Sequence, residues 1–272
     1  MEFKDQVVLV TGSGKGIGKA IATRFVRERA SVCINDIVLE DAERTSRELR
    51  KLGGKTLVVQ ADVSKEEEVK KMFRLLFGKF GTIDILVNNA GIGDGLMVED
   101  MTYEIWRKVI DTNLNAVFLC CKAAMPVMQK KRYGKIVNIA SVAAKKISFR
   151  GGAHYTASKA GLLGFTRHLA YELAPYGINV NAICPGATLT PLLKSRTPHA
   201  ELKAELGRFP VGKFCEPEDI AEAVLFLCSK RSKMIVGQAL DVDAGELLAW
   251  TDFESYKKGR KEYAKRVSGK QS

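Results

Sequence analysis

Val7-Val8-Leu9-Val10, running into Thr11-Gly12-Ser13-Gly14-Lys15-Gly16-Ile17-Gly18, is the stretch that decides the fold. Its first four residues are a short apolar run rich in β-branched side chains, the pattern of a buried strand. The glycines that follow predict a tight turn, and the amphipathic segment from 17 to 29 predicts a helix directly after it. Strand, glycine turn and helix in that order suit a pyrophosphate. Glycines let it approach the backbone closely, and the helix N-terminus offers free N–H groups and the positive end of the helix dipole.

Outward from this stretch, apolar runs recur at 32–35, 56–60, 85–88, 136–139, 180–183 and 239–242, with periodic segments between most of them. Such alternation predicts an α/β fold, a single Rossmann-type doubly wound parallel sheet of about seven strands flanked by helices. In such a sheet ligands bind beyond the carboxyl ends of the strands, at the switch point. Gly12, Asp36, Asp62, Asn88, Ser141 and Pro185 all follow predicted strands, so they converge on one edge.

Asp36 sits about twenty residues past the glycine loop, where a carboxylate accepts hydrogen bonds from the adenosine ribose hydroxyls and repels a 2′-phosphate. Lys15, a cation within the loop, argues the other way. No Arg or Lys follows Asp36; the next residues are Ile37, Val38 and Leu39. Like-charge contact at short range outweighs an exposed lysine. The expected cofactor is therefore NAD, with NADP the lesser candidate.

A chain of 272 residues, 46% of them hydrophobic, can bury one large core. One domain is expected over 1–250, followed by a basic extension at 251–272. No stretch reaches the roughly 18 uncharged apolar residues of a membrane span, and the N-terminus has no signal-peptide pattern, so a cytoplasmic protein is expected. The six cysteines have no CxxC spacing and lie mostly in apolar runs, and none of the three histidines is at ligand spacing. Neither a disulfide framework nor a metal is predicted.

His154-Tyr155-Thr156-Ala157-Ser158-Lys159 places Tyr155 and Lys159 on one helix face, with Ser141 upstream. A phenol titrates near pH ~10, and an ammonium beside it is expected to lower that value until the group can exchange protons near neutrality. Ser141 can hydrogen-bond the same substrate oxygen. Such a Tyr–Lys pair also occurs in ordinary amphipathic helices; the glycine loop is what favours chemistry here.

The pieces together, Thr11 to Gly18 spaced as TGxxxGxG, Asp62, Asn88-Asn89-Ala90-Gly91, Asn113, Ser141, Tyr155 with Lys159, and Pro185-Gly186 followed by Thr190, resemble the classical short-chain dehydrogenase/reductase family. The resemblance runs from about residue 4 to about residue 245. It implies a catalytic set of Asn113, Ser141, Tyr155 and Lys159. It also implies cofactor contacts from Gly12, Ser13, Lys15, Gly16, Ile17, Gly18, Asp36, Asp62, Val63, Asn89, Ala90, Gly91, Tyr155, Lys159, Pro185, Gly186, Thr188 and Thr190. Asp62 is expected on the adenine amino group and Thr190 on the nicotinamide carboxamide. Asn113 is expected to hold a water that links Lys159 to solvent. One departure stands out: Ser141 and Tyr155 are 14 apart, about one more than is common in the family, which implies an extra loop residue between them.

The resemblance further implies a substrate lid at about 187–215 and a homotetramer. The lid carries Lys194, Arg196, His199, Lys203, Arg208 and Lys213 against Glu201 and Glu205, and Lys145, Lys146 and Arg150 border the same mouth. An anionic substrate is one reading of this; a solvated basic face on a chain of net charge +12 is the other. The expected activity is NAD-dependent interconversion of a secondary alcohol, such as a hydroxy acid, polyol or sugar, and its ketone. The alternatives are an NADPH-dependent 3-oxoacyl-thioester reductase and, outside enzymes, a dinucleotide-sensing scaffold, which would have no need of a proton donor. The extension interleaves Trp250, Phe253, Tyr256 and Tyr263 with basic residues. A helix docked on a neighbouring subunit and a fraying end are both open, and no nucleic-acid or membrane partner is expected.

Overall fold

Each apolar run becomes a parallel strand: β1 (Val7–Val10), β2 (Ser31–Asp36), β3 (Lys55–Gln60), β4 (Ile85–Asn88), β5 (Gly134–Ile139), β6 (Ile178–Pro185) and β7 (Ala239–Val242). They pair in one sheet in the order 3-2-1-4-5-6-7. The order reverses between β1 and β4, so the switch point lies where the glycine loop leaves β1. This computed structural model describes residues 1–268, apart from the Arg208 side chain.

The helices are α1 (Gly16–Arg27), α2 (Leu39–Lys51), α3 (Glu66–Phe80), α4 (Tyr103–Ile110), α5 (Ala116–Lys131), α6 (Gly152–Leu173), α7 (Pro191–Arg196), α8 (His199–Glu205), α9 (Pro217–Cys228) and α10 (Phe253–Val267). Residues of β1 alternate between two cores: Val7 and Leu9 pack with α3, α5 and α6, while Val8 and Val10 pack with α1, α2 and α9. Covering both faces is why these strands read as unbroken apolar runs instead of alternating ones. A smaller cluster around Leu202, Phe209 and Phe214 packs the 187–215 segment, the expected lid.

The predicted strands are recovered with ends shifted by at most a few residues, and α1 stops at Arg27 because Arg29 turns to φ 69°. The Asp111–Asn115 segment between α4 and α5 is a π-helical turn, which the sequence pattern did not suggest. All six cysteines are buried and free, and burial pushes their thiols up, Cys33 and Cys121 to about 12. Among the described residues no helix is long and apolar enough to cross a membrane, and no group of His, Cys, Asp or Glu is arranged to hold a metal ion. In the extension, α10 is capped by Asp252, whose carboxylate accepts from Ser255 N–H at 2.9 Å, and it buries none of its residues.

Candidate active site

The glycine loop is built for close approach. Gly12 and Gly16 take φ of 61° and 58°, backbone that favours glycine. A Cβ on Gly18 would lie 2.3 Å from Gly12 O, and one on Gly12 would lie 2.9 Å from Ala90 Cα. Asn89 holds the loop by donating from Nδ2 to Thr11 O and Gly12 O, both at 2.9 Å. The Thr11 hydroxyl accepts from the N–H groups of Asn89 and Ala90. No side chain caps the start of α1, which begins at Gly16 with Ile17 following, so its N–H groups face the loop unpaired by a cap. This cradle fits a pyrophosphate.

Asp36 is buried at the end of β2. It accepts from Gly14 N–H at 2.9 Å and Val38 N–H at 3.1 Å, one on each oxygen. Each oxygen keeps a further lone pair, so the carboxylate is fixed in place with capacity left for two ribose hydroxyls. Lys15, the residue that argued for NADP, is 3.3 Å from Asp41 of α2. Asp62 accepts from Ser64 N–H and Ser64 Oγ on one oxygen only.

Two of the expected contact residues point their side chains inward. The Ser13 hydroxyl is fully buried and donates to Val10 O at 2.8 Å, and Val63 is buried in the core under α3. Their side chains support the loops and do not face the cradle. Gly91 lies between Lys159 and Asn113, Pro185 ends β6, and Gly186 packs so tightly on Asp243 that a Cβ would meet its Cα at 2.7 Å. The Thr188 hydroxyl donates to Gly186 O. Thr190 caps α7 by accepting from Leu193 N–H at 3.2 Å, and its methyl group stands beside Gly16, so the lid begins at the cradle.

Ser141, Tyr155, Lys159 and Asn113 come together at the same sheet edge. Lys159 is buried, donates to Ile139 O at 2.8 Å, and stands 5.6 Å from the centroid of the Tyr155 ring. Ser141 Oγ accepts from Ala143 N–H, which leaves its own proton free to donate. The Tyr155 ring is clasped by two glycines: a Cβ on Gly93 would be 2.9 Å from it and one on Gly151 2.5 Å. The Asn113 amide accepts from Ile92 N–H and donates to Ile92 O, both at 2.8 Å, and also donates to Ser158 Oγ. Asn113 is the buried member of the π-helical turn, and its amide ties the loop after β4 to α6.

The electrostatics correct one expectation. Burial pushes the Tyr155 phenol above its ordinary value, with a hydrogen bond from Ser141 partly offsetting this. Burial also lowers the Lys159 ammonium to about 8. Lys159 is buried and Tyr155 half-buried, and desolvation disfavours the charged form of each. The cations expected at the mouth are paired. Lys145 pairs with Asp241, Lys146 with Glu246, and Arg150 with Glu201 and Glu205. Those three cations bind the lid and the last strand. Around them Met97, Val98, Ile147, Phe149 and Leu192 are exposed.

His154, which the sequence reading passed over, is wholly buried. It accepts from Tyr155 N–H on Nδ1, lies 3.0 Å from Asp94 through Nε2, and stacks on Trp106. Only its place next to Tyr155 signals this in the sequence.

Comparison with known proteins agrees with the geometry. A family model described as enoyl-(acyl carrier protein) reductase matches residues 12–246. A 3-oxoacyl-[acyl-carrier-protein] reductase of Thermotoga maritima is 38% identical over 245 residues, 90% of this chain and 99% of that protein. Among solved structures, a 3-oxoacyl-[acyl-carrier protein] reductase with bound NAD from Brucella melitensis is 38% identical with a TM-score of 0.81, over 90% of this chain and 92% of the other. A levodione reductase is 32% identical with a TM-score of 0.87, over 91% of this chain and all of the other. The chain belongs to the short-chain dehydrogenase/reductase family, oxidoreductases that use NAD or NADP.

Proposed function

We propose that this protein reduces the ketone of 3-oxoacyl thioesters, with NAD(H) as its dinucleotide. The Tyr155–Ser141–Lys159 cluster beside the glycine cradle carries the reading, because it offers a proton donor, a hydrogen-bond donor and a cation at one point. The substrate class is supported by the relatives named for that reaction and by the mouth, where the cations are paired internally and the exposed side chains are apolar. An acyl chain suits such a rim better than a small anion does. Asp36 supports NAD over NADP.

Hydride transfer is the chemistry a nicotinamide dinucleotide supplies when bound. Gly12, Gly16 and Gly18 would admit its pyrophosphate, and Asp36 its adenosine ribose. Tyr155 donates its phenolic proton to the carbonyl oxygen during reduction and takes a hydroxyl proton in the reverse direction. Ser141 donates a hydrogen bond to the same oxygen. Lys159 has one donor taken by Ile139 O, leaving two for the nicotinamide ribose. Asn113 holds the loop that flanks Lys159, and a water beside it would carry the proton to solvent.

A second reading keeps the site and takes a hydroxy acid, polyol or sugar instead. It is supported by Lys194 and Lys203 of the lid, which enter no ion pair among the described residues. We also propose a homotetramer, since edge strand β7 exposes Leu240, and α5 and α6 expose Phe118 and Tyr171. Initial rates with NADH and NADPH on acetoacetyl and longer 3-oxoacyl thioesters, set beside NAD-linked oxidation of hydroxy acids and polyols, test the reading. Thioester reduction with NADH is expected. Oxidation of the alcohols without thioester turnover would replace it with the second reading, and a tenfold preference for NADPH would remove the Asp36 argument.

A further inference from the structure

We propose that Asp41 is a second cofactor-specificity residue, one that keeps Lys15 and Arg44 away from a 2′-phosphate; this rests on the reading of Asp36 as the ribose carboxylate of an NAD site. The sequence sets Asp36 against Lys15, and in the structure the lysine is engaged by Asp41. Lys15 Nζ lies 3.3 Å from Asp41 Oδ2, and the Arg44 guanidinium bonds the other oxygen. The side chains of the two cations are 58% and 52% exposed, that of the carboxylate only 14%. The fixed partner is therefore Asp41, and two mobile cations are drawn to it. Burial works to raise the Asp41 carboxyl, but Arg44 and Lys15 outweigh that and hold it below the ordinary value.

Asp41 also stands at the right place. A Cβ on Gly14 would meet Asp36 Oδ2 and Asp41 Cβ, each at 2.7 Å, so both acids flank one glycine of the cradle. Two carboxylates and two cations leave this corner neutral, and the positive groups are already occupied. Loss of the Asp41 charge would leave a net positive corner with ammonium and guanidinium donors released beside Asp36, and a phosphate dianion is what such donors bind. The loop does not depend on Asp41 for its shape. Gly14 N–H donates to Asp36, Gly14 O accepts from Thr45 Oγ1 at 2.7 Å, and Lys19 pairs with Glu48 across α1 and α2 at 2.6 Å.

The test uses the full chain as wild type, as D41N, and as the triple variant D41N/K15Q/R44Q, with melting curves to check folding. Calorimetric titration with AMP and with adenosine 2′,5′-bisphosphate reads binding without turnover, and kcat/KM with NAD and NADP follows. D41N should bind the bisphosphate about tenfold more tightly while AMP changes by less than about threefold, the scale of newly freed charge-assisted contacts at an exposed site. The triple variant should lose that gain. An unchanged bisphosphate affinity in D41N, or a gain that survives in the triple variant and so reflects only lost repulsion, overturns the role of Asp41 and leaves Asp36 untouched. Wild type binding the bisphosphate more tightly than AMP overturns the NAD reading itself, and this inference with it.

Discussion

A phenol stripped of part of its water holds its proton more tightly than one in solution, and half-buried Tyr155 is such a phenol. That suits a donor in the reductive direction and leaves Lys159 as the group that titrates near neutrality. Burial lowers the Lys159 pKa to about 8, so its charge is complete well below that pH and is lost as pH rises through it. The kcat/KM for reduction should therefore be level at neutral pH and fall through about 8. K159R, whose guanidinium stays charged, should move that limb upward even where it lowers the rate; an unmoved limb would assign it to another group. Gly18 is tested through shape. A methyl group there would sit 2.3 Å from Gly12 O, so G18A should abolish dinucleotide binding and cost on the order of 2 kcal/mol in denaturant unfolding. Spacing made Tyr155, Lys159 and Gly18 legible in the sequence. The direction of the Tyr155 shift was not, because it depends on burial by Gly93 and Gly151 and on a lysine engaged with Ile139 O.

Elements rich in uninterrupted apolar residues announced themselves; those set by distant partners did not. β1, β4 and β7 match the sequence reading residue for residue; β1 and β4 are covered on both faces and need no polar interruption, while β7 is a half-exposed edge strand. The π-helical turn at Asp111–Asn115 carries no composition signal. It persists with Asn113 bonded to both backbone groups of Ile92, a loop residue 21 positions away. The pairing of the cations around the 187–215 segment was hidden for a similar reason. Arg150 finds Glu201 and Glu205 more than 50 residues on, and Arg196 donates to Gly93 O across 103 residues, so these cations tie the 187–215 segment to the loops after β4 and β5. R150Q should loosen that closure and raise KM by about three- to tenfold with a smaller loss in kcat. Steady-state kinetics checks it, and an unchanged KM would show that the lid closes without this tie.

Across the whole molecule, one sheet edge gathers the glycine loop after β1, Asp36 at the end of β2, Ser141 after β5 and Tyr155 in the first turn of α6. The topology was legible because alternation of strand and helix leaves few other solutions. The extension was not, since its aromatics pack on one another, Trp250 and Phe253 on Tyr256, and α10 buries no residue. Removing residues 251–272 should therefore shift the Tm by less than about 2 °C at low protein concentration; a larger drop in differential scanning calorimetry would show that the helix supports the fold or an assembly. The central claim is that Tyr155 moves the proton beside a bound dinucleotide, and Y155F tests it most directly, with turnover and NAD affinity measured on the same preparation. The account predicts a loss of at least about a hundredfold in kcat with NAD affinity kept within about threefold. Turnover that survives the substitution would contradict it.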